Sequence, residues 1–337
     1  MLGGAVPPLS ALPVTTILVP LDGSRAGECA LPVAAAVARA HGARVRPVHV
    51  IVPAADDPSG SVGGDQAQTA IADLRADAQR YLGDVRDRFS EQLPSPIEDD
   101  VVASLGIRSP FGEAAAVAGA LGRLADRRRA NLLVMATHGR GGVSRAWLGS
   151  VADTLIRQSR VPLLLLRPPS GEHAPTGVFR RILVPLDGSP EAEEVLPLAL
   201  ALAAPDGAQL VLLRVAAPRR RLAPSPPLGS PNAALLAREV DGARAYLSRV
   251  ARGLGRPGLA ADIEVKVDDH VSASVLRAAD ELRADLVAMT THGRGGARRL
   301  ALGSVADKIV RAASCPVLLH RPAGRASSAH SARAAHA

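Results

Sequence analysis

One phrase occurs twice in this chain. Thr137-His138-Gly139-Arg140-Gly141-Gly142, followed by Leu148-Gly149-Ser150-Val151-Ala152-Asp153, returns 154 residues later as Thr291-His292-Gly293-Arg294-Gly295-Gly296 and Leu302-Gly303-Ser304-Val305-Ala306-Asp307. A second phrase, Val19-Pro20-Leu21-Asp22-Gly23-Ser24, returns 165 residues later as Val184-Pro185-Leu186-Asp187-Gly188-Ser189. The duplicated unit is therefore a whole domain of roughly 150 residues, slightly shortened in its second copy. Each copy must join an Asp at a strand end to a glycine loop that opens a helix.

The pattern along each copy alternates strand and helix. In the first, Thr16–Leu21 is a short apolar run ending in an Asp-Gly turn. Ala26–Ala40 has helical apolar spacing, Arg44–Val52 reads as a strand, and Gln66–Leu93 is a long amphipathic helix. Ile97–Ala103, Asn131–Ala136 and Val161–Leu166 read as further strands, with helices over Glu113–Arg129 and Gly149–Ser159. The second copy repeats the order: Arg181–Leu186, Glu191–Ala203, Gln209–Val215, Leu235–Arg252, Ile263–Val267, Ser272–Arg283, Leu286–Met289, Gly303–Ala313 and Val317–His320. Such alternation predicts an α/β fold, two doubly wound five-stranded parallel-sheet domains in tandem. Domain 1 is expected over 14–168 and domain 2 over 179–322, joined by the polar, Pro- and Gly-containing stretch Pro168–Val178. Ala323–Ala337 is a low-complexity tail.

The net charge of +8 invites a nucleic-acid reading, but the charge is spread out: 18 basic and 16 acidic residues in 14–168, and 20 and 15 in 179–322. Aromatics make up only 2% of the chain, too few for base-stacking platforms. Cys29 and Cys315 sit at non-equivalent repeat positions and form no metal spacing, which suits a reducing cytoplasm. No apolar run reaches the ~20 residues of a membrane span. Residues 1–13 lack the basic start and apolar stretch of a signal peptide.

Open parallel sheets bind ligands beyond the carboxyl ends of their strands, where the strand order reverses. If strands 1 and 4 are neighbours there, Asp22 faces the Gly139 loop, and Asp187 the Gly293 loop. Glycines let backbone N–H groups approach an anion, and a helix N-terminus adds free N–H groups and a favourable dipole. Ser150 and Ser304 add hydroxyl donors, and Asp22 and Asp187 can accept hydrogen bonds from a ribose or base. Glycine loops and Asp-Gly pairs also serve simply to turn the chain. His138 and His292, beside the glycines, suit hydrogen bonding to loop backbone better than catalysis. There is no Gly-x-x-x-x-Gly-Lys-Ser/Thr loop and no Cys/His cluster with zinc spacing.

On these motifs the chain resembles the universal stress protein family, over nearly all of both repeats. That family's nucleotide motif is Gly, two residues, Gly, nine residues, Gly-Ser/Thr. Gly139, Gly149 and Ser150 match it, as do Gly293, Gly303 and Ser304; the first glycine is replaced by Ala136 and by Thr290. The resemblance implies the fold of the adenine nucleotide alpha hydrolase-like proteins. It implies ATP as ligand, with or without Mg²⁺. It places Pro20, Asp22, Val50, Ala136, Gly139, Arg140, Gly149, Ser150 and Val151 around one nucleotide. Around the other it places Pro185, Asp187, Val215, Thr290, Gly293, Arg294, Gly303, Ser304 and Val305. Asp22 and Asp187 would contact the adenosine, and the backbone of Val50 and Val215 the adenine. In the family the last strand forms the dimer contact, so Val161–Leu166 and Val317–His320 are expected to pair within this chain as an internal pseudo-dimer, with other surfaces left for a further homodimer. The expectation is a cytoplasmic, ATP-binding stress sensor or regulator, no catalytic residue being assigned. Two alternatives stay open: a slow ATP-hydrolysing or nucleotidyl-transferring enzyme using the same crevice, and an interaction module that binds no nucleotide. Thr290 crowds a position the family gives to glycine, so domain 1 is expected to bind more tightly than domain 2.

Overall fold

The computed structural model describes residues 13–52, 64–93, 100–103, 112–137, 148–167, 179–203, 207–217, 231–254, 259–291 and 302–322. In chain order the first copy runs β1 (Thr16–Leu21), α1 (Arg25–Glu28), α2 (Ala30–His41), β2 (Arg44–Ile51), α3 (Gly64–Arg88), β3 (Asp100–Ala103), α4 (Glu113–Arg128), β4 (Leu132–Ala136), α5 (Ser150–Gln158) and β5 (Leu163–Leu166). The second copy runs β6 (Arg181–Pro185), α6 (Pro190–Glu193), α7 (Leu196–Leu202), β7 (Gln209–Ala216), α8 (Pro231–Gly253), β8 (Ala260–Val267), α9 (Val271–Glu281), β9 (Leu286–Thr290), α10 (Ser304–Ala312) and β10 (Val317–His320).

Two sequence readings change. The helices expected over Ala26–Ala40 and Glu191–Ala203 are each two helices, broken after Glu28 and after Glu193. The cause is proline at equivalent positions. Pro32 and Pro197 have no N–H for the carbonyl four residues back, which belongs to Glu28 and Glu193, and their rings crowd it. The third strand of domain 2 starts at Ala260, earlier than its apolar run suggests. It is an outer strand whose polar Asp262, Glu264 and Lys266 hid it from a hydrophobicity reading. The expected start of the corresponding domain 1 strand lies outside the described residues.

All ten strands form one sheet, in the order β3-β2-β1-β4-β5-β10-β9-β6-β7-β8. Within each half every pairing is parallel, and β1 lies between β2 and β4 as β6 lies between β7 and β9. The central strands are buried on both faces: β4 is buried throughout and so is the all-leucine β5. Helices cover both faces, giving two core layers that each contain residues of both copies. Val19, Leu164, Val184 and Leu318 belong to one layer; Leu133, Leu165, Val287 and Leu319 belong to the other.

The halves join where expected. β10 runs antiparallel to β5, with Val317 opposite Leu165, Leu318 opposite Leu164 and Leu319 opposite Leu163. Each strand thereby covers the other's bare edge. Polar contacts across the joint repeat under the duplication. Arg167 Nη2 donates to the carbonyl of Arg311 at 2.6 Å, and Arg321 donates to the carbonyl of Arg157. Arg157 and Arg311 each pair with the acid one turn earlier, Asp153 and Asp307, and Arg311 also reaches Asp153 at 3.4 Å. Among the described residues no helix is long and apolar enough to cross a membrane.

Candidate functional site

The carboxyl ends of β1 and β6 carry the same device. Gly23 and Gly188 take φ values of 85° and 84°, which admit the tight turn after the Asp. Asp22 Oδ1 accepts from the Ser24 backbone N–H at 3.0 Å and from its hydroxyl at 2.6 Å. Asp187 Oδ1 accepts from Ser189 in the same way, at 2.9 and 2.5 Å. Each serine also caps the short helix that follows, Ser24 Oγ accepting from Gly27 N–H and Ser189 Oγ from Ala192 N–H. One oxygen of each Asp is thus spent on holding its own turn.

In domain 2 these strand ends open into a cavity of about 860 Å³. Its wall includes seven of the residues singled out from sequence: Pro185, Asp187, Val215, Thr290, Gly303, Ser304 and Val305. They come from the ends of β6, β7 and β9 and from the start of α10, which is the strand-order reversal of a doubly wound sheet. Thr290 is buried, with 6% exposure, and stands in the wall without closing the space. The N-terminal turn of α10 supplies the anion-attracting end. No side chain caps it, and its first internal bond is from Asp307 N–H to the Gly303 carbonyl at 2.9 Å. The N–H groups of Ser304, Val305 and Ala306 therefore have no partner within the helix.

Domain 1 repeats the placement. Pro20, Asp22, Val50 and Ala136 lie at the ends of β1, β2 and β4, and Gly149, Ser150 and Val151 start α5. Asp153 N–H bonds the Gly149 carbonyl at 2.8 Å, and no side chain caps this helix either. Gly139, Arg140, Gly293 and Arg294 lie outside the described residues, as do His138, His292 and Trp147.

Gly149 has a reason of its own to be glycine. Its N–H donates to the Thr137 carbonyl at 2.8 Å, and a Cβ there would lie 3.0 Å from that same oxygen. Gly303 makes the equivalent bond to Thr291 at 3.0 Å. The bond ties each helix start to the end of the preceding strand and sets it against the crevice. Its N–H is therefore committed to the chain rather than to an anion.

The sequence reading missed the far wall of the cavity. Glu239, Gly242 and Ala243 of α8 line it, with Val271 and Val275 of α9 and Arg214 of β7. Spacings of three and four residues put each helical set on one face, so the signal was present but had nothing to point at. The internal repeat carries other residues at the equivalent positions: 165 residues earlier, Arg214 is His49, Glu239 is Leu74 and Gly242 is Asp77. The cysteines offer no nucleophile. Burial pushes the thiols of Cys29 and Cys315 up to about 11, so they stay protonated at neutral pH. Among the described residues no group of three His, Cys, Asp or Glu side chains could hold a metal ion.

Comparison with known proteins agrees with this architecture. The sequence model of the universal stress protein family matches residues 13–167 and 179–321. A universal stress protein of Mycobacterium tuberculosis is 28% identical over 198 residues, which is 57% of this chain and 62% of that protein's length. One of Mycolicibacterium smegmatis is 24% identical across 91% of this chain and 97% of its own. A protein of the same description from Thermus aquaticus is 32% identical over 45% of this chain and 98% of its own length, the size of one repeat. Among solved structures, a universal stress protein from Archaeoglobus fulgidus superposes with a TM-score of 0.59 at 16% identity. It covers 91% of this chain and 96% of its own, a likeness of fold.

Proposed function

Because the chain belongs to the universal stress protein family and carries two of its domains in tandem, we propose that each crevice binds an adenine nucleotide, ATP foremost. On this reading the protein is a cytoplasmic stress-linked sensor or regulator. The observation that carries the reading is the domain 2 cavity, whose wall gathers an Asp, a strand-end valine and an uncapped helix N-terminus from three separate elements. The order of those elements matches the order of a nucleotide's parts. β7, β6 and β9 are consecutive in the sheet, with α10 beyond β9. A base at Val215, a sugar at Asp187 and phosphates at Ser304 follow that order, as do Val50, Asp22 and Ser150 in domain 1. Free N–H groups at a helix start favour phosphate, and a carboxylate accepts from sugar hydroxyls. Mg²⁺, where it accompanies the nucleotide, would be carried by the phosphates.

The test uses the freshly purified full chain. Mass spectrometry of ligand released on denaturation should find an adenine nucleotide, and calorimetry on the stripped protein should give two ATP sites. Gly242→Leu provides the structural control. A Cβ at Gly242 meets nothing within 4 Å, and leucine is a good helix former, so the fold is kept while bulk is added to the domain 2 wall. One ATP site should then be weakened and one left intact. No ATP binding by the stripped wild-type protein would refute the reading.

A further inference from the structure

The chain has two tyrosines, Tyr81 and Tyr246, and they are 165 residues apart, as are Asp22 and Asp187 and also Glu28 and Glu193. In domain 1 these residues form one connected chain. The Glu28 carboxylate is buried, with 6% exposure, at the end of α1. Arg88 grips it with two bonds, Nη1 to Oε2 at 2.8 Å and Nη2 to Oε1 at 2.9 Å, and the Tyr81 hydroxyl donates to Oε1 at 3.2 Å. Both donors belong to α3. The Tyr81 ring packs edge-on against His49, 5.6 Å between centroids, and His49 precedes the candidate base contact Val50. Burial, then Glu28, then the Asp22 charge raise the Tyr81 pKa, so its hydroxyl stays protonated and donates.

The other end of α1 abuts the candidate sugar contact. Ser24 Oγ donates to Asp22 Oδ1 and accepts from Gly27 N–H, while Glu28 N–H bonds the Ser24 carbonyl at 3.2 Å. There is no slack: a Cβ on Gly27 would lie 2.8 Å from Asp22 Oδ1. Four residues cannot hold a helical turn by themselves, and Pro32 cuts this turn off from α2. Its attitude is set by its two ends, Asp22–Ser24 and Glu28. In domain 2 Glu193 and Tyr246 recur, but Gly253 stands where domain 1 has Arg88, and the contacts are looser. Arg249 approaches Glu193 at 3.9 Å, and the Tyr246 hydroxyl is buried beside that carboxylate without good hydrogen-bond geometry.

From this we infer that Tyr81, Glu28 and Arg88 are positioning residues for the nucleotide site of domain 1, clamping α1 so that Asp22 presents its carboxylate to the ribose hydroxyls. The inference rests on the proposed nucleotide reading. The experiment is calorimetry on the full chain with ATP and with 2′,3′-dideoxy-ATP, which lacks both hydroxyls, for wild type, Tyr81→Phe and Arg88→Gln. Removing the Tyr81 hydroxyl keeps the ring and its packing. Losing a hydrogen bond's worth of positioning should weaken the tighter ATP step by roughly three- to tenfold. Dideoxy-ATP binding should stay unchanged, so that the preference for ribose shrinks by the same factor. Arg88 is half-exposed, so Arg88→Gln should fold and show the same selective loss, and it decides alone should Tyr81→Phe not fold. Equal weakening for both ligands would mean a general structural role and overturn the inference. So would an unchanged ribose preference. Absence of ATP binding to wild type would instead sink the nucleotide reading itself.

Discussion

Gly149→Ala separates a glycine that faces a ligand from one that faces its own chain. The backbone at Gly149, φ −58° and ψ 144°, is open to alanine, so no strain arises from the dihedrals. The cost comes from one contact: the new Cβ would lie 3.0 Å from the Thr137 carbonyl oxygen, a backbone atom fixed at the end of β4. Relieving it means moving α5 away from β4, which stretches the 2.8 Å bond from Gly149 N–H to the same oxygen. Overpacking of this kind costs about 1–3 kcal/mol, and a weakened hydrogen bond about 0.5–1.5 kcal/mol. Because one movement relieves the first at the expense of the second, the sum should be about 2 kcal/mol. With the whole chain melting as one unit, at ~2 cal/mol/K per residue, that corresponds to a fall in Tm of roughly 3 °C. Gly122→Ala is the matched control. It lies inside α4 with nothing within 4 Å of a Cβ, so alanine should raise stability by up to about 1 kcal/mol. Urea titration at fixed pH reads both variants. A Gly149→Ala protein as stable as wild type would refute the steric argument. If destabilisation appears as expected but ATP affinity does not change, the helix start does not form the phosphate end.

Three further outcomes are expected. Thr290→Gly in the full chain should tighten the weaker of two ATP steps, because it removes a side chain from the domain 2 wall; a change confined to the tighter step on calorimetry would reverse the ranking of the sites. Asp285 accepts from the N–H groups of Arg180 and Arg181, the task Asn131 performs for Thr15 and Thr16 in domain 1. Burial raises the Asp285 pKa against the opposing pull of those backbone bonds. Its contribution to stability is therefore complete below the ordinary carboxylate pKa and lost as pH rises through the raised value. Asp285→Asn should equal wild type at about pH 3 and exceed it slightly at pH 7 by urea midpoint; a less stable variant at pH 7 would show that the charged hydrogen bonds outweigh desolvation. Finally, both core layers cross the β5–β10 joint, so calorimetric melting should show one transition, whereas two well-separated transitions would contradict a shared core.

The duplication and the alternation were legible because each follows from local pattern, period and turn residues; the pairing of the last strands was legible only through the family resemblance. β1 and β10 have the boundaries their apolar runs suggest. Pro32 and Pro197 were in plain view, and helical spacing alone concealed that they split a helix. What sequence could not give was distance. Gly149 approaches Thr137 from twelve positions further along the chain, and the exchange of Arg167 and Arg321 across the joint spans more than 140 residues. The wall formed by Glu239 and Gly242 became meaningful only when α8 was placed over the end of β7.

The joint also frees the two halves from each other's sequence. A dimer of identical chains joined this way is self-complementary: any change on one side appears on the other, and dilution dissolves the partnership. Here the partner is tethered, so its local concentration does not fall with that of the protein. One half can then be altered while the other stays as it was, at a fixed ratio of one to one. His49 against Arg214, Leu74 against Glu239 and Ala136 against Thr290 are differences that a dimer of identical chains cannot carry.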